Sequence, residues 1–190
     1  NPKKTKHFMM SVSLYPAASL DNTEDIVQPF SRWKEQREAT DSIMSHRLNV
    51  LLKARQLGFS WLACHIAAWY LLTPGQTIIC LSKSEDEAKE LIRRIAFILT
   101  YADELFADKK FLPINWDGII FESTAFSIVV HYPNGADSRV MGMASGPGAG
   151  RSFTANLIII DEWAFQQFAR EMLAGGGKMI LGSDSHTRYG

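Results

Sequence analysis

The feature that most constrains this fold is the alternation of short apolar runs with longer segments of helical character. Leu48-Asn-Val-Leu-Leu52, Thr77-Ile-Ile-Cys-Leu81 and Asn156-Leu-Ile-Ile-Ile160 are strand-length and lack the apolar/polar alternation of a strand with one wet face. They read as strands covered on both faces. Between the first two lies Ser60 to Leu72, rich in Trp, Ala and Leu, a helix stopped by Thr73-Pro-Gly75. After the second, Ser84 with Glu87 three residues on reads as a capping box opening a helix that runs to about Thr100. Strand, helix, strand, helix in this rhythm predicts an α/β fold, a mostly parallel sheet with helices on both faces.

The flanking regions have a different texture. Residues 1–25 show no period and read as an arm. From Glu24 to Ser45 the pattern turns helical, with Phe30, Trp33 and Arg37 spaced for one face. Between Asp117 and Met143 shorter strands are expected at Gly118 to Phe121, Phe126 to Tyr132 and Arg139 to Met143, with Pro133-Asn-Gly135 as a hairpin turn. Ser145-Gly-Pro-Gly-Ala-Gly150 reads as a loop leading into the most apolar strand. No internal repeat is present.

Composition excludes more than it assigns. At 190 residues the chain suits one domain with a substantial core. Twenty basic residues balance twenty acidic ones, so no global field points to nucleic acid and any DNA contact must use a local patch, with Lys3, Lys4, Lys6, Lys109 and Lys110 as the available cations. Cys64 and Cys80 form neither a disulfide framework nor a metal-site spacing and suit small buried residues in a reducing compartment. No apolar run is long enough to span a bilayer, and Asn1 to Lys6 is basic without the apolar core of a signal peptide. The chain opens on Asn1 rather than methionine, as a fragment does.

Phosphate binding calls for a loop between a buried strand and a helix, where backbone N–H groups and the helix N-terminus face the anion. Lys53-Ala-Arg-Gln-Leu-Gly-Phe-Ser60 sits at such a junction. Against the pattern G-x-x-x-x-G-K-[ST], Gly58 holds the second glycine position and Ser60 the hydroxyl position. Lys53 replaces the first glycine and Phe59 the usual lysine, so the strict pattern fails. A cation is still in reach, Lys53 or Arg55, and Ser60 can offer its hydroxyl to Mg²⁺. At the other end of the chain, Leu157-Ile-Ile-Ile160 delivers Asp161 and Glu162 to the C-terminal end of a buried strand, the edge where open α/β sheets bind ligands. An aspartate there can hold Mg²⁺, and an adjacent glutamate can polarise an attacking water.

Taken together, Lys-Ala-Arg-Gln-Leu-Gly-Phe-Ser and Ile-Ile-Asp-Glu-Trp-Ala-Phe resemble the large terminase subunit of tailed bacteriophages, over roughly Ile26 to Arg170. That family carries the basic residue of its P-loop at the start, the departure seen here. The resemblance implies a P-loop NTPase of the ASCE type, truncated after the acidic strand, using ATP and Mg²⁺ to translocate double-stranded DNA into a prohead. It implies nucleotide binding by Lys53, Arg55, Gln56, Gly58, Phe59 and Ser60, with Ser60 and Asp161 on the metal and Glu162 as catalytic base. Trp33 and Gln36 fall where the family reads adenine, and Arg151 falls where it places an arginine that can act on a neighbouring subunit's ATP, with Arg139 as competitor. Ser82, Lys83 and Ser84 match the end of the family's next strand. The partners implied are DNA, a portal, a small terminase subunit and copies of the chain in a ring, in the host cytoplasm and without a membrane.

Two departures accompany the resemblance. No segment of nuclease-domain size follows the acidic strand, so DNA cleavage is not expected of this chain. Residues 171–190 read as a tail, since Gly182-Ser-Asp-Ser-His-Thr187 resembles a segment of aconitase-like hydratases, whose iron–sulfur cluster needs more cysteines than Cys64 and Cys80. The chain thus divides into an arm (1–25), an ATPase domain (26–170) and a tail (171–190). A helicase-like or other P-loop ATPase, and a fragment that binds nucleotide without turning it over, are the alternatives.

Overall fold

The computed structural model describes residues 15–17, 26–28, 32–53, 58–105, 120–133, 135–146, 154–163 and 178–184. Two short strands, β1 (Tyr15–Ala17) and β2 (Ile26–Gln28), pair antiparallel and form a separate ribbon. The main sheet contains β3 (Leu48–Lys53), β4 (Thr77–Ser82), β5 (Ile120–Ser123), β6 (Ser127–His131), β7 (Ser138–Ala144), β8 (Leu157–Ile160) and β9 (Lys178–Asp184). Its seven strands lie in the order β3-β9-β8-β4-β7-β6-β5. From β3 to β7 every neighbouring pair is parallel, and β6 and β5 extend the sheet antiparallel.

Among the described residues three helices connect and cover these strands. In α1 (Lys34–Ser45) the buried residues are Gln36, Ala39, Thr40 and Ile43. The expected helical start at Glu24 is corrected, and the shared face of Trp33 and Arg37 is the outer one. Ile26 to Gln28 is extended, as the residue before Pro29 must largely be, and Trp33 and Arg37 face outward. The Trp33 N–H donates to Gln36 Oε1 at 3.1 Å, which caps the helix start. Helix α2 (Phe59–Leu71) is buried continuously from Trp61 to Ala68, the signature of a helix packed on more than one side. Helix α3 (Glu85–Leu105) opens with Glu85, Asp86 and Glu87, which complement the helix dipole. Ser84 Oγ accepts from the Glu87 N–H at 3.3 Å, while the Glu87 carboxylate turns to Ser82 Oγ at 2.9 Å.

The interior is split by the sheet. One cluster joins α1, α2 and α3 to Ile78, Cys80, Val140, Leu157, Ile159 and Ile180. The alternating residues Ile79, Leu81, Ile158, Ile160, Met179 and Leu181 form a second cluster on the other face. Among the described residues all three helices pack against the first face. There α3 and β7 approach so closely that a Cβ on Gly142 would lie 2.8 Å from Ile92 Cγ1 and 3.0 Å from the Ala88 carbonyl oxygen. The connection between β6 and β7 turns at Gly135, whose φ of +72° suits glycine, as the expected Pro133-to-Gly135 hairpin requires.

The sheet continues beyond the acidic strand, where the sequence leads one to expect truncation. Part of the segment read as a tail is β9, which pairs with β3 on one side and β8 on the other over its apolar stretch. Its run Met179-Ile-Leu181 is buried, and this burial against both neighbours makes it a central strand.

Candidate functional site

Parallel strands end together, so the topology brings β3, β9, β8 and β4 to one carboxyl edge. That edge carries Lys53, Asp184, the residues just past Ile160, and Ser82. Gly58 immediately precedes α2 in a left-handed conformation, φ +67°, and its carbonyl accepts the Leu62 N–H at 3.0 Å. Glycine adopts this turn without the Cβ clash any other residue would meet, which lets the chain enter α2 sharply. Phe59 and Ser60 then form the helix's first turn.

Two segments far apart in sequence meet here. Ser60 Oγ donates to Asp161 Oδ2 at 3.0 Å across a separation of 101 residues. The second Asp161 oxygen, Oδ1, accepts the N–H of Glu162 at 3.1 Å, and the Asp161 N–H donates to the Leu81 carbonyl at 2.9 Å. The aspartate is thereby fixed by its own strand's neighbour and by the next residue. Glu162 has φ +54°, the one non-glycine residue with positive φ among those described. A non-glycine residue costs of order 1–3 kcal/mol in this region, and such strain gathers at functional sites. A small depression opens beside the pair, lined by Leu51, Phe59, Ala63, Ile159, Ile180 and Gly182, with Ser60 and Asp161 at its polar side. A hydroxyl and a carboxylate side by side are hard oxygen donors of the type Mg²⁺ takes, usually one or two from the protein with the rest from phosphate and water.

The remaining expected residues are distributed as follows. Trp33 and Gln36 lie at the start of α1. The other end of that helix is tied near the amino edge of the sheet, because Lys178 Nζ at the start of β9 donates to the Ile43 and Met44 carbonyls and Ser42 Oγ donates to Asn49 Oδ1 at 3.0 Å. Trp33 is 55% exposed, whereas Gln36 is buried with its amide oxygen engaged in the cap. Arg139 lies near the start of β7, opposite Thr77, at the amino edge away from Ser60 and Asp161. Arg55, Gln56 and Arg151 fall outside the described residues, and for Lys53 the description is limited to its strand position.

Sequence reasoning missed two features of this edge. One is the Ser82–Glu87–Lys83 network at the end of β4, in which Lys83 Nζ lies 3.0 Å from Glu87 Oε1. Burial of a serine hydroxyl at a strand end leaves no periodic signal. The other is the position of β9 between the phosphate-loop strand and the acidic strand. Its short apolar run was visible, but pairing order is not.

Comparisons with known proteins agree with this fold. The family model described as terminase large subunit, T4likevirus-type, N-terminal, matches residues 50–178, more than half of the chain. Among solved structures, the large terminase ATPase domain of Thermus phage P74-26 is 16% identical with a TM-score of 0.56, covering 82% of this chain and 64% of that one. The large terminase of bacteriophage HK97 is 11% identical with a TM-score of 0.69, covering 97% of this chain and 37% of that one. The large terminase of a thermophilic bacteriophage, in complex with ATP-γ-S, is 12% identical with a TM-score of 0.56, covering 79% and 37%. At these identities the likeness is one of fold, and the chain spans between 37% and 64% of the length of these three structures. No curated protein matches. The parallel sheet, the Ser60–Asp161 contact and the family model converge, and the chain belongs to the large terminase subunit family, in its N-terminal region.

Proposed function

We propose that this chain carries the ATP-hydrolysing site of a viral DNA-packaging motor, which couples hydrolysis to translocation of double-stranded DNA into a prohead. The observation that carries the reading is the Ser60–Asp161 hydrogen bond, because it joins the loop after β3 to the acidic end of β8 at the edge where such sheets bind ligands. In this reading Lys53 and Arg55 supply the cations for the β- and γ-phosphates, and the N–H groups around Gln56, Gly58 and Phe59 line the phosphate path. Ser60 and Asp161 would hold Mg²⁺, which would supply positive charge beside the phosphoryl oxygens. Glu162, one residue beyond Asp161, orients and polarises the attacking water. Trp33 offers its exposed ring to the adenine, and Gln36, buried with its amide oxygen bound to the Trp33 N–H, holds the helix start that carries that ring.

Arg151 belongs to the same reading as a finger on ATP held by a neighbouring copy in a homo-oligomeric ring, a role worth roughly three to five orders of magnitude in GTPases. Double-stranded DNA, a portal and a small terminase subunit are the partners of such a motor, and the host cytoplasm is its place of work. Among the described residues no helix is long and apolar enough to cross a membrane. The test is binding of a fluorescent ATP analogue with and without Mg²⁺. Affinity that falls in both Lys53→Ala and Arg55→Ala supports the phosphate loop, and affinity unchanged in both overturns it.

A further inference from the structure

A glycine inside a strand gives up packing and backbone entropy, and it usually marks a bulge, a tight bend or the close approach of a ligand or another backbone. Gly182 lies inside β9, and the ladder to β3 runs unbroken past its register partner Leu51, so no bulge is present there. Among the described glycines positive φ is found at Gly58, Gly75 and Gly135, whereas Gly182 is extended, so its torsions do not call for glycine. Close approach remains. Successive residues of a strand face opposite sides of the sheet. Ile180 belongs to the cluster on the helix face and Leu181 to the cluster on the other, which returns Gly182 to the helix face. There it lines the depression beside Ser60 and Asp161, together with Leu51 and Ile180 of the sheet and Phe59 and Ala63 of α2. It also lies one step beyond the last pair of β8 and β9, Ile160 with Leu181, and so level with Asp161. Gly142, on the same face in β7, shows the other use of a strand glycine, since there α3 fills the space.

We infer that Gly182 is a positioning residue for the Ser60–Asp161 pair: its missing side chain leaves the room in which the first turn of α2 seats against the carboxyl edge of the sheet. The inference rests on the proposed reading of that pair as the magnesium end of a nucleotide site. Phe59 and Ser60 form the first turn, and the seat of that turn sets the 3.0 Å approach of the Ser60 hydroxyl to Asp161. A side chain at position 182 enters the depression from the sheet side and meets Phe59 or the walls around it. Farther along, α2 is held by continuous burial from Trp61 to Ala68, so the displacement falls on the first turn and not on the whole helix. Gly182 thus acts through Ser60, by the space it leaves.

The test follows Gly182→Ala and Gly182→Val through three readouts on the intact chain. Affinity for a fluorescent ATP analogue is measured with and without Mg²⁺. Hydrogen–deuterium exchange without nucleotide follows the Leu62 amide, which donates to the Gly58 carbonyl across the first turn. Thermal unfolding reports on the fold as a whole. The Mg²⁺-dependent gain in affinity should shrink with side-chain size, by about ten-fold or more in Gly182→Val, within the range that overpacking commands. Leu62 exchange should quicken, while Mg²⁺-free affinity and Tm stay near the parental values, helped by the preference of strands for valine over glycine. Adding Leu51→Ala, which empties the position opposite, should restore both the Mg²⁺ dependence and the exchange. Parental Mg²⁺ dependence and exchange in Gly182→Val overturn the proposal, as does a loss that Leu51→Ala fails to relieve. A loss joined by a falling Tm and faster exchange throughout the sheet also overturns it, since the glycine would then serve packing alone. Quickened Leu62 exchange in a chain that binds no nucleotide supports the seat and overturns the magnesium reading of the pair, which keeps the two failures distinct.

Discussion

Replacing Ser60 by alanine separates the structural and chemical roles of the hydroxyl that joins the two halves of the site. Without nucleotide, the change removes the hydrogen bond that Ser60 donates to the Asp161 carboxylate. A hydrogen bond to a charged group is worth about 1.5–3 kcal/mol. Ser60 and Asp161 are only partly buried, so water replaces much of that and the net loss is about 1 kcal/mol. For a domain of this size such a loss lowers Tm by about 2–4 °C. The catalytic effect should be far larger. A metal's electrostatic contribution amounts to several kcal/mol, and each 1.36 kcal/mol is about ten-fold in rate, so hydrolysis should fall about 10²- to 10³-fold. The assay is phosphate release at saturating ATP across a Mg²⁺ titration, comparing Ser60→Ala with Ser60→Thr. Ser60→Thr should remain within about ten-fold of the parent, because the hydroxyl is kept. A Ser60→Ala protein with parental rate and unshifted Mg²⁺ dependence would refute the assignment.

Three other outcomes are expected. Gly142→Ala forces α3 away from β7, since one of the clashing atoms is the Ala88 backbone oxygen, and should cost about 1–3 kcal/mol in chemical denaturation; an unchanged midpoint would contradict the close approach. Burial pushes the Cys64 thiol up to about 12 and Cys80 well above its ordinary value, so iodoacetamide at pH 8 should label both only after denaturation, and rapid labelling of the native protein would contradict the buried assignment. Hydrolysis per molecule should rise with protein concentration and collapse in Arg151→Ala, while Arg139→Ala, at the amino edge of the sheet, should leave it near the parental rate. The reverse pattern would transfer the finger to Arg139.

The parts of the architecture visible in the sequence are those with local causes. Leu157 to Ile160 announces a buried strand because all four residues are apolar, and Thr73-Pro-Gly75 stops α2 close to the predicted end because proline cannot continue a helix. The site was visible where chemistry is dense, at Ser60 and at Asp161-Glu162. Their contact was not, because it depends on which strands lie side by side. The inward face of α1 was not legible for a related reason. Gln36 and Thr40 are buried polar residues, and apolar spacing does not mark them as inward. The Thr40 hydroxyl is satisfied by donating to the Gln36 carbonyl at 2.7 Å, a compensation that composition cannot reveal. In β9, Gly182, Ser183 and Asp184 dilute the apolar run, and only pairing on both sides identifies it as central.

The central claim, that this carboxyl edge hydrolyses ATP, is tested most directly by Glu162→Gln. The substitution preserves size and removes the charge that would polarise water, while Asp161 and Ser60 are left in place. Nucleotide affinity and phosphate release should be measured on the same preparations of the parent chain and the variant. The account predicts measurable turnover in the parent, affinity retained in the variant, and turnover reduced by about 10²-fold or more, the lower range of general-base contributions. Turnover in Glu162→Gln equal to that of the parent would contradict the role of Glu162, and a parent chain that neither binds nor hydrolyses ATP would contradict the claim itself.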